Sequence, residues 1–152
     1  MRNRIAVAVL ILAAMGIGGQ AFADDLLLSK KDATELIGSN VGKPFWQMEA
    51  QCAGMMGAAY AYSMDHHQPA EAERSKDAGI AMLNEAIARL QIDRGIDQPA
   101  ALSQAAVEVE TGRAGAKAAL ERQGAGPMSN FNFMRSACYD ISAANRKHMA
   151  GG

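Results

Sequence analysis

Glycine and proline residues divide most of this chain into four segments, each long enough for a substantial helix. The first segment follows Gly42-Lys43-Pro44, the second begins at Pro69 and the third ends at Gly124. Proline is tolerated in the first turn of a helix, where its missing N–H would have no helical partner, and glycine adopts the left-handed conformation that ends many helices. The pattern predicts four helices of roughly 20 to 26 residues.

Polar side chains at the segment ends support these limits. The first helix is expected to end near His66, and the second at Arg94. Asp97 is expected to cap the third helix, and Ser129 or Asn130 the fourth. Such side chains accept hydrogen bonds from the free N–H groups of a first turn. The loops between the helices are therefore only a few residues long.

Signals for β-strands are missing from the sequence. β-branched residues are sparse, and no segment alternates apolar and polar residues beside a hairpin turn. A short helix is expected over residues 30–37, before the four long ones. Because short loops force consecutive helices to run antiparallel, we predict an all-α fold, an up-down-up-down four-helix bundle with a short preceding N-terminal helix.

The first 23 residues have the pattern of a bacterial signal peptide. Arg2 and Arg4 are followed by a short apolar stretch and by Ala21-Phe22-Ala23, a small-x-small sequence typical of signal-peptidase cleavage. We expect residues 1–23 to be cleaved and residues 24–152 to form a single domain in the periplasm or outside the cell. No second apolar run is long enough to cross a bilayer, so no membrane insertion is expected after cleavage.

The charge of the chain argues against a nucleic-acid partner. The formal net charge is −1 at pH 7, and loss of the two leader arginines makes it more negative. No cluster of lysine and arginine provides the basic surface that phosphate backbones require. The sequence also contains no motif for nucleophilic hydrolysis, zinc-dependent hydrolysis, phosphate binding or dinucleotide binding, so we expect a protein that is not an enzyme.

Cys52 and Cys138 are expected to form a disulfide between the first and fourth long helices. Both fall on the inner apolar stripes of their helices. Adjacent antiparallel helices that rise about 1.5 Å per residue would bring the two residues to the same height within about one turn. An even pair of cysteines in an oxidising compartment is most simply a disulfide.

The first long helix carries two neighbouring apolar stripes, more than one bundle seam needs. The second stripe includes Trp46, Met56 and Tyr60, and we interpret it as a candidate interaction surface for an unknown protein partner or for a homodimer. The alternative is that the short helix over 30–37 covers it. Small residues in the same helix, including Gly54, predict close contact with another helix.

Methionine and histidine in the first long helix suggest a copper site as an alternative. Met55, Met56, Met64, His66 and His67 are of the types that suit Cu(I). The two histidines, however, point about 100° apart on a helix. Methionines at helical spacing also fill cores as flexible apolar side chains.

Haem is the other cofactor alternative. The sequence lacks the CxxCH motif of covalently attached haem, but Met48 and His148 are expected to face each other across the first and fourth helices and could hold haem b. This arrangement resembles the one in b-type cytochromes of the periplasmic four-helix class. The alternative for His148 is a solvated side chain that complements the helix dipole.

One acidic residue of the first helix stands out. Glu49 lies in an apolar turn, and if it is buried it needs a partner such as Arg146 or Lys147 from the antiparallel fourth helix. The sequence as a whole predicts an exported helical protein with a non-catalytic binding or interaction role in the cell envelope, through a protein partner, self-association or holdase-like activity. A periplasmic haem or copper protein is the alternative.

Overall fold

The computed structural model describes residues 25–32 and 40–151. The leader expected over residues 1–23 lies outside the described residues. Most of the short helix expected over 30–37 lies outside them as well, and its first three residues form a turn. The four predicted long helices all fall within the described part of the chain.

Four helices follow one another with short connections, as predicted from the glycine and proline residues. Helix α1 spans Phe45–Asp65, α2 spans Pro69–Arg94, α3 spans Gln98–Gln123 and α4 spans Asn130–Ala150. The all-α, up-down-up-down bundle is therefore confirmed. Residues 25–32 and 40–151 contain one isolated β-bridge and no strand. No helix in this part of the chain is long and apolar enough to cross a membrane.

Capping side chains begin two of the helices where the sequence placed them. The Asp97 carboxylate accepts a hydrogen bond of 2.9 Å from the N–H of Ala100, and the Ser129 hydroxyl accepts one from the N–H of Asn132. Ser129 is thus the cap of α4. At the end of α2, Gly95 has a φ of 61°, which glycine adopts without steric cost.

Helix α1 lies at the centre of the bundle. It packs against all three of the other helices, most extensively against α2 and α3. Thirteen of its 21 residues are buried, and they lie on several sides of the helix rather than along one stripe. This central position explains why the sequence of α1 carries two neighbouring apolar stripes. Helices α2 and α4 run antiparallel to α1, whereas α3 runs parallel to it.

Two glycines allow α1 and α3 to touch backbone to backbone. A Cβ atom built on Gly54 would lie 1.8 Å from the carbonyl oxygen of Val109, and one built on Gly112 would lie 1.9 Å from the carbonyl oxygen of Gln51. No side chain fits into either space. The contact is also held by Glu108, whose carboxylate accepts a 2.6 Å hydrogen bond from the Gln51 amide.

The predicted disulfide joins α1 to α4. Cys52 and Cys138 are bonded, with their Cα atoms 5.5 Å apart, and are 86 residues apart in sequence. Both are buried in the main core cluster. The disulfide confirms that these two helices are antiparallel neighbours at the heights expected from the sequence.

Residues 25–32 lie across the end of the bundle where α1 begins. The N–H of Leu26 donates to the Asp93 carboxylate at 2.9 Å, and the Leu28 side chain is buried in the core. Asp25 forms an ion pair with Arg94 and accepts a hydrogen bond from the Trp46 indole. These contacts fix the start of α1 relative to the end of α2.

Candidate functional site

An apolar groove opens between α3 and α4, with α1 as its floor. We call it the α3–α4 groove, and its volume is about 390 Å³. Met48 and Met55 form the floor on either side of Cys52. Met48 and Met55 are seven residues apart, so they lie on the same face of α1, about 10 Å apart along its axis. The groove is therefore about two helical turns long.

The two walls of the α3–α4 groove differ in the size of their side chains. Helix α4 contributes large apolar side chains, including Phe133 and Met134, which are 44% and 38% exposed. Helix α3 contributes Gly112 and Gly115. A Cβ atom built on Gly115 would meet no described atom within 4 Å. Thr111 is the third lining residue from α3, so two of the three positions on this wall carry no side chain.

The lining of the α3–α4 groove is suited to contact with apolar groups. Thioether, aromatic and aliphatic side chains dominate it, and both cysteines that reach it are bonded in the disulfide. Among its described lining residues, none carries an ionisable side chain that could move a proton near neutral pH. The amide of Gln51 at its edge is already engaged by Glu108. These properties favour binding over acid–base chemistry.

The residues that we interpreted as an interaction surface are covered within the chain itself. Trp46 and Met56 are buried, and Tyr60 is partly buried. Helix α2 provides the cover: the Arg94 guanidinium lies 4.8 Å above the Trp46 ring, and Gly79 packs against Met56. The second apolar stripe of α1 thus faces a neighbouring helix because α1 is central, and it forms no exposed patch.

The residues of the copper alternative lie in different environments. Met55 is in the floor of the groove, Met56 is in the core beneath α2, and Met64 is 48% exposed. The ring of His66 stacks on a tyrosine, and its Nδ1 lies 2.7 Å from a main-chain oxygen of α1. His67 lies beyond the helix end with a φ of 56°. In the described residues, no three His, Cys, Asp or Glu side chains are grouped to hold a metal ion.

The two residues of the haem alternative have different surroundings. Met48 is buried in the floor of the groove. The ring of His148 packs 5.4 Å from the ring of Phe45, and its Nε2 lies 2.9 Å from the Asp32 carboxylate. His148 therefore contacts the N-terminal segment of residues 25–32.

Glu49 is fully buried, and its partner is a different residue from those expected. Burial and the nearby Glu85 carboxylate raise the pKa of Glu49 to about 9. Asn145 donates to Glu49 Oε1 over 3.4 Å, whereas Arg146 forms a 2.9 Å ion pair with Glu85. The expectation of Arg146 or Lys147 as partner was wrong, because successive residues of a helix point about 100° apart and Asn145 is the one that faces α1.

The sequence interpretation missed the groove walls, Phe133 and Met134 on α4 and Gly112 and Gly115 on α3. Two glycines three residues apart in a helix were the available signal, since such spacing leaves one face without side chains. No protein-family model, no curated protein and no solved structure matches this chain.

Proposed function

We propose that the protein is an exported, non-catalytic binding protein of the cell envelope, which holds an apolar segment of a partner protein in the α3–α4 groove. The observation that carries the proposal is the groove itself, about 390 Å³ of concave, largely apolar space without ionisable lining residues. That volume lies in the range of about 300 to 1,000 Å³ that is common for binding pockets. The leader pattern and the disulfide support an oxidising compartment.

The shape of the groove favours a helical segment as the occupant. Two antiparallel walls over a helical floor form a channel about two turns long, which suits apolar side chains at positions i, i+3, i+4 and i+7 of an amphipathic helix. Met48, Met55 and Met134 are unbranched and flexible. Methionine-lined surfaces adapt to different partners, so a holdase-like role is compatible with this site.

Gly115→Leu is expected to block the groove without unfolding the protein. The leucine side chain enters space where no described atom lies within 4 Å of the new Cβ. We expect its affinity for a fluorescein-labelled amphipathic peptide of leucine and lysine to fall at least about tenfold, since the peptide loses burial of roughly one apolar side chain. Fluorescence anisotropy measures the affinity.

Gly115→Ala is the matched control for this experiment. Either substitution replaces glycine inside a helix and should stabilise the protein by about 0.5 to 1 kcal/mol. Alanine, however, leaves most of the groove open, so the alanine variant should bind the peptide as the wild type does. Equal affinity for wild type and Gly115→Leu would contradict the proposed site, as would an absence of peptide binding by the wild type.

Absorbance and metal analysis of the purified protein test the haem and copper alternatives. We expect protein purified from the periplasm without chelator to be colourless and to contain no stoichiometric copper, since His66 and His148 are engaged by other groups of the chain. An ultraviolet-visible spectrum and metal analysis of the same sample check this expectation. A Soret band that disappears in Met48→Ala or His148→Ala would instead establish haem binding and replace the proposed function.

A further inference from the structure

The contact of α1 with α4 contains two buried side-chain oxygen atoms that lack a hydrogen-bond partner among the described residues. These atoms are Glu49 Oε2 and Asn145 Oδ1. Both side chains are 0% exposed. The two residues are nevertheless joined, because Asn145 Nδ2 donates to Glu49 Oε1. If Glu49 were ionised, both unpartnered atoms would be buried acceptors, and each would cost free energy.

A single proton on Glu49 would give both oxygen atoms a hydrogen-bond partner. A protonated carboxyl carries one O–H donor beside its carbonyl oxygen, and the Asn145 amide carries an acceptor beside its N–H donors. With the proton on Oε2, that O–H can donate to Asn145 Oδ1 while Asn145 Nδ2 donates to Oε1. The pair then carries no charge. The Glu85 carboxylate, which also interacts with Glu49, already accepts hydrogen bonds from Ser142 and Arg146.

The surroundings of Glu49 favour the protonated form. The charged groups on the elements around this region are Glu85, Arg89 and Asp93 on α2, Glu108 on α3, Arg146 and His148 on α4, and Asp32 in the N-terminal segment. Arg146, the cation that would favour an ionised Glu49, is paired with Glu85 at 2.9 Å. Arg89 is paired with Asp93 at 2.7 Å. Burial and the Glu85 carboxylate together raise the pKa of Glu49 to about 9.

We propose that Glu49 and Asn145 form a neutral acid–amide latch that holds the C-terminal half of α4 on α1, and that loss of one proton from Glu49 opens it. The disulfide at Cys138 fixes the first half of α4. Beyond it, the latch provides the buried polar contact between the two helices, and Ser142 bonds to Glu85 on α2 instead. The latch goes beyond the proposed function and does not depend on any occupant of the groove.

The direction of the pH effect follows from which state binds the proton more tightly. The pKa of Glu49 is about 9 in the folded protein and near its ordinary value of 4.5 in the unfolded chain. Between these values only the unfolded state loses the proton, so stability falls as pH rises. Below about pH 4.5 the stabilisation by Glu49 is fully present. Between about pH 4.5 and 9 the folding equilibrium constant falls about tenfold per pH unit. Above about pH 9 the folded carboxyl ionises and the latch opens.

Glu49→Gln tests the latch, because glutamine has the shape of the protonated acid and no proton to lose. Its amide can donate to Asn145 Oδ1 and accept from Asn145 Nδ2. We expect wild type and variant to unfold at similar urea concentrations at pH 5, and the variant to become the more stable by about tenfold per pH unit as pH rises toward 9. Parallel pH profiles for the two proteins would overturn the proposal.

Hydrogen exchange tests whether α4 is the element that is released. After correction for the intrinsic pH dependence of exchange, amides of residues 142–150 in the wild type should exchange faster above pH 9, and those of Glu49→Gln should not. Amides near Cys138 should stay protected in both proteins, since the disulfide holds them. Uniform acceleration along all four helices would show global unfolding in place of a local latch and would overturn the proposal.

A direct measurement on the wild type reports the proton itself, and the variant serves only to assign the signal. With glutamate labelled by ¹³C at the side-chain carboxyl, one resonance should remain at the position of a protonated acid at pH 7. Its loss in Glu49→Gln assigns it. If every glutamate carboxyl is ionised at pH 7, the proton does not bridge the two residues, a water or a cation takes its place, and the latch is rejected.

Discussion

Gly54→Ala is expected to lower the free energy of unfolding by about 3 kcal/mol, and Gly112→Ala by a similar amount. In each case the added methyl group would lie within 2 Å of a main-chain carbonyl oxygen of the facing helix. A side chain could rotate away, but a helix backbone has to move as a whole. Helices α1 and α3 would therefore separate and lose packing along their length. Urea unfolding followed by far-ultraviolet circular dichroism measures the loss.

The control for this prediction lies three residues farther along α3. Gly115→Ala makes the same chemical change in the same helix, but its new methyl group enters open space. It should raise stability by about 0.5 to 1 kcal/mol, because alanine has the higher helix propensity. If Gly54→Ala and Gly112→Ala are as stable as Gly115→Ala, the direct contact between α1 and α3 is wrong.

Removal of the disulfide is expected to have the largest effect on stability. The bond closes a loop with a sequence separation of 86 residues. In the chain-entropy model a loop of this size stabilises the folded state by about 4 to 5 kcal/mol. The double variant with Cys52→Ala and Cys138→Ala keeps apolar side chains in the core and should lose stability of this order, measured by urea unfolding.

The single variants provide an internal check on the disulfide. Because the bond needs both sulfurs, Cys52→Ala alone should lose about as much stability as the double variant, and the second substitution should add little. Intact mass before and after reduction and alkylation confirms the bond in the wild type. A wild-type protein that unfolds at the same urea concentration with and without reductant would show that the disulfide contributes nothing.

The helices, their caps and the disulfide could be predicted because their signals are local. Asp97 and Ser129 cap helices through main-chain groups only three residues away. The disulfide required one further step, that short loops make α1 and α4 antiparallel neighbours. Two cysteines on inward stripes at matching heights then have few alternatives.

The arrangement of the helices around α1 could not be predicted in the same way. Alternating directions leave open which helices touch, and the contact of α1 with α3 depends on two glycines that meet only after folding. Gly54 was recognised as a site of close approach, but nothing local identified Gly112 as its counterpart. The same limit explains why Trp46 and Met56 were interpreted as a surface, since their cover by α2 is a tertiary property.

The nearer of the two expected partners of Glu49 differs from the observed one by a single position in the sequence. Asn145 and Arg146 are adjacent in sequence, and a charged partner for a buried acid is the obvious expectation. The structure places the amide toward α1 and the guanidinium toward Glu85. A carboxyl group that keeps its proton has no need of a cation, and sequence patterns do not show which acids do so.

The disulfide also determines how the folded chain carries mechanical load. Because it connects residues 52 and 138, all of α2 and α3 lies inside the covalent loop. Tension applied at the two ends of the chain passes from the start of α1 directly to α4 through the sulfur bridge. Helices α2 and α3 are shielded from that force, and a protease that cuts the loop after Arg94 or after Gln123 leaves two fragments that remain covalently attached.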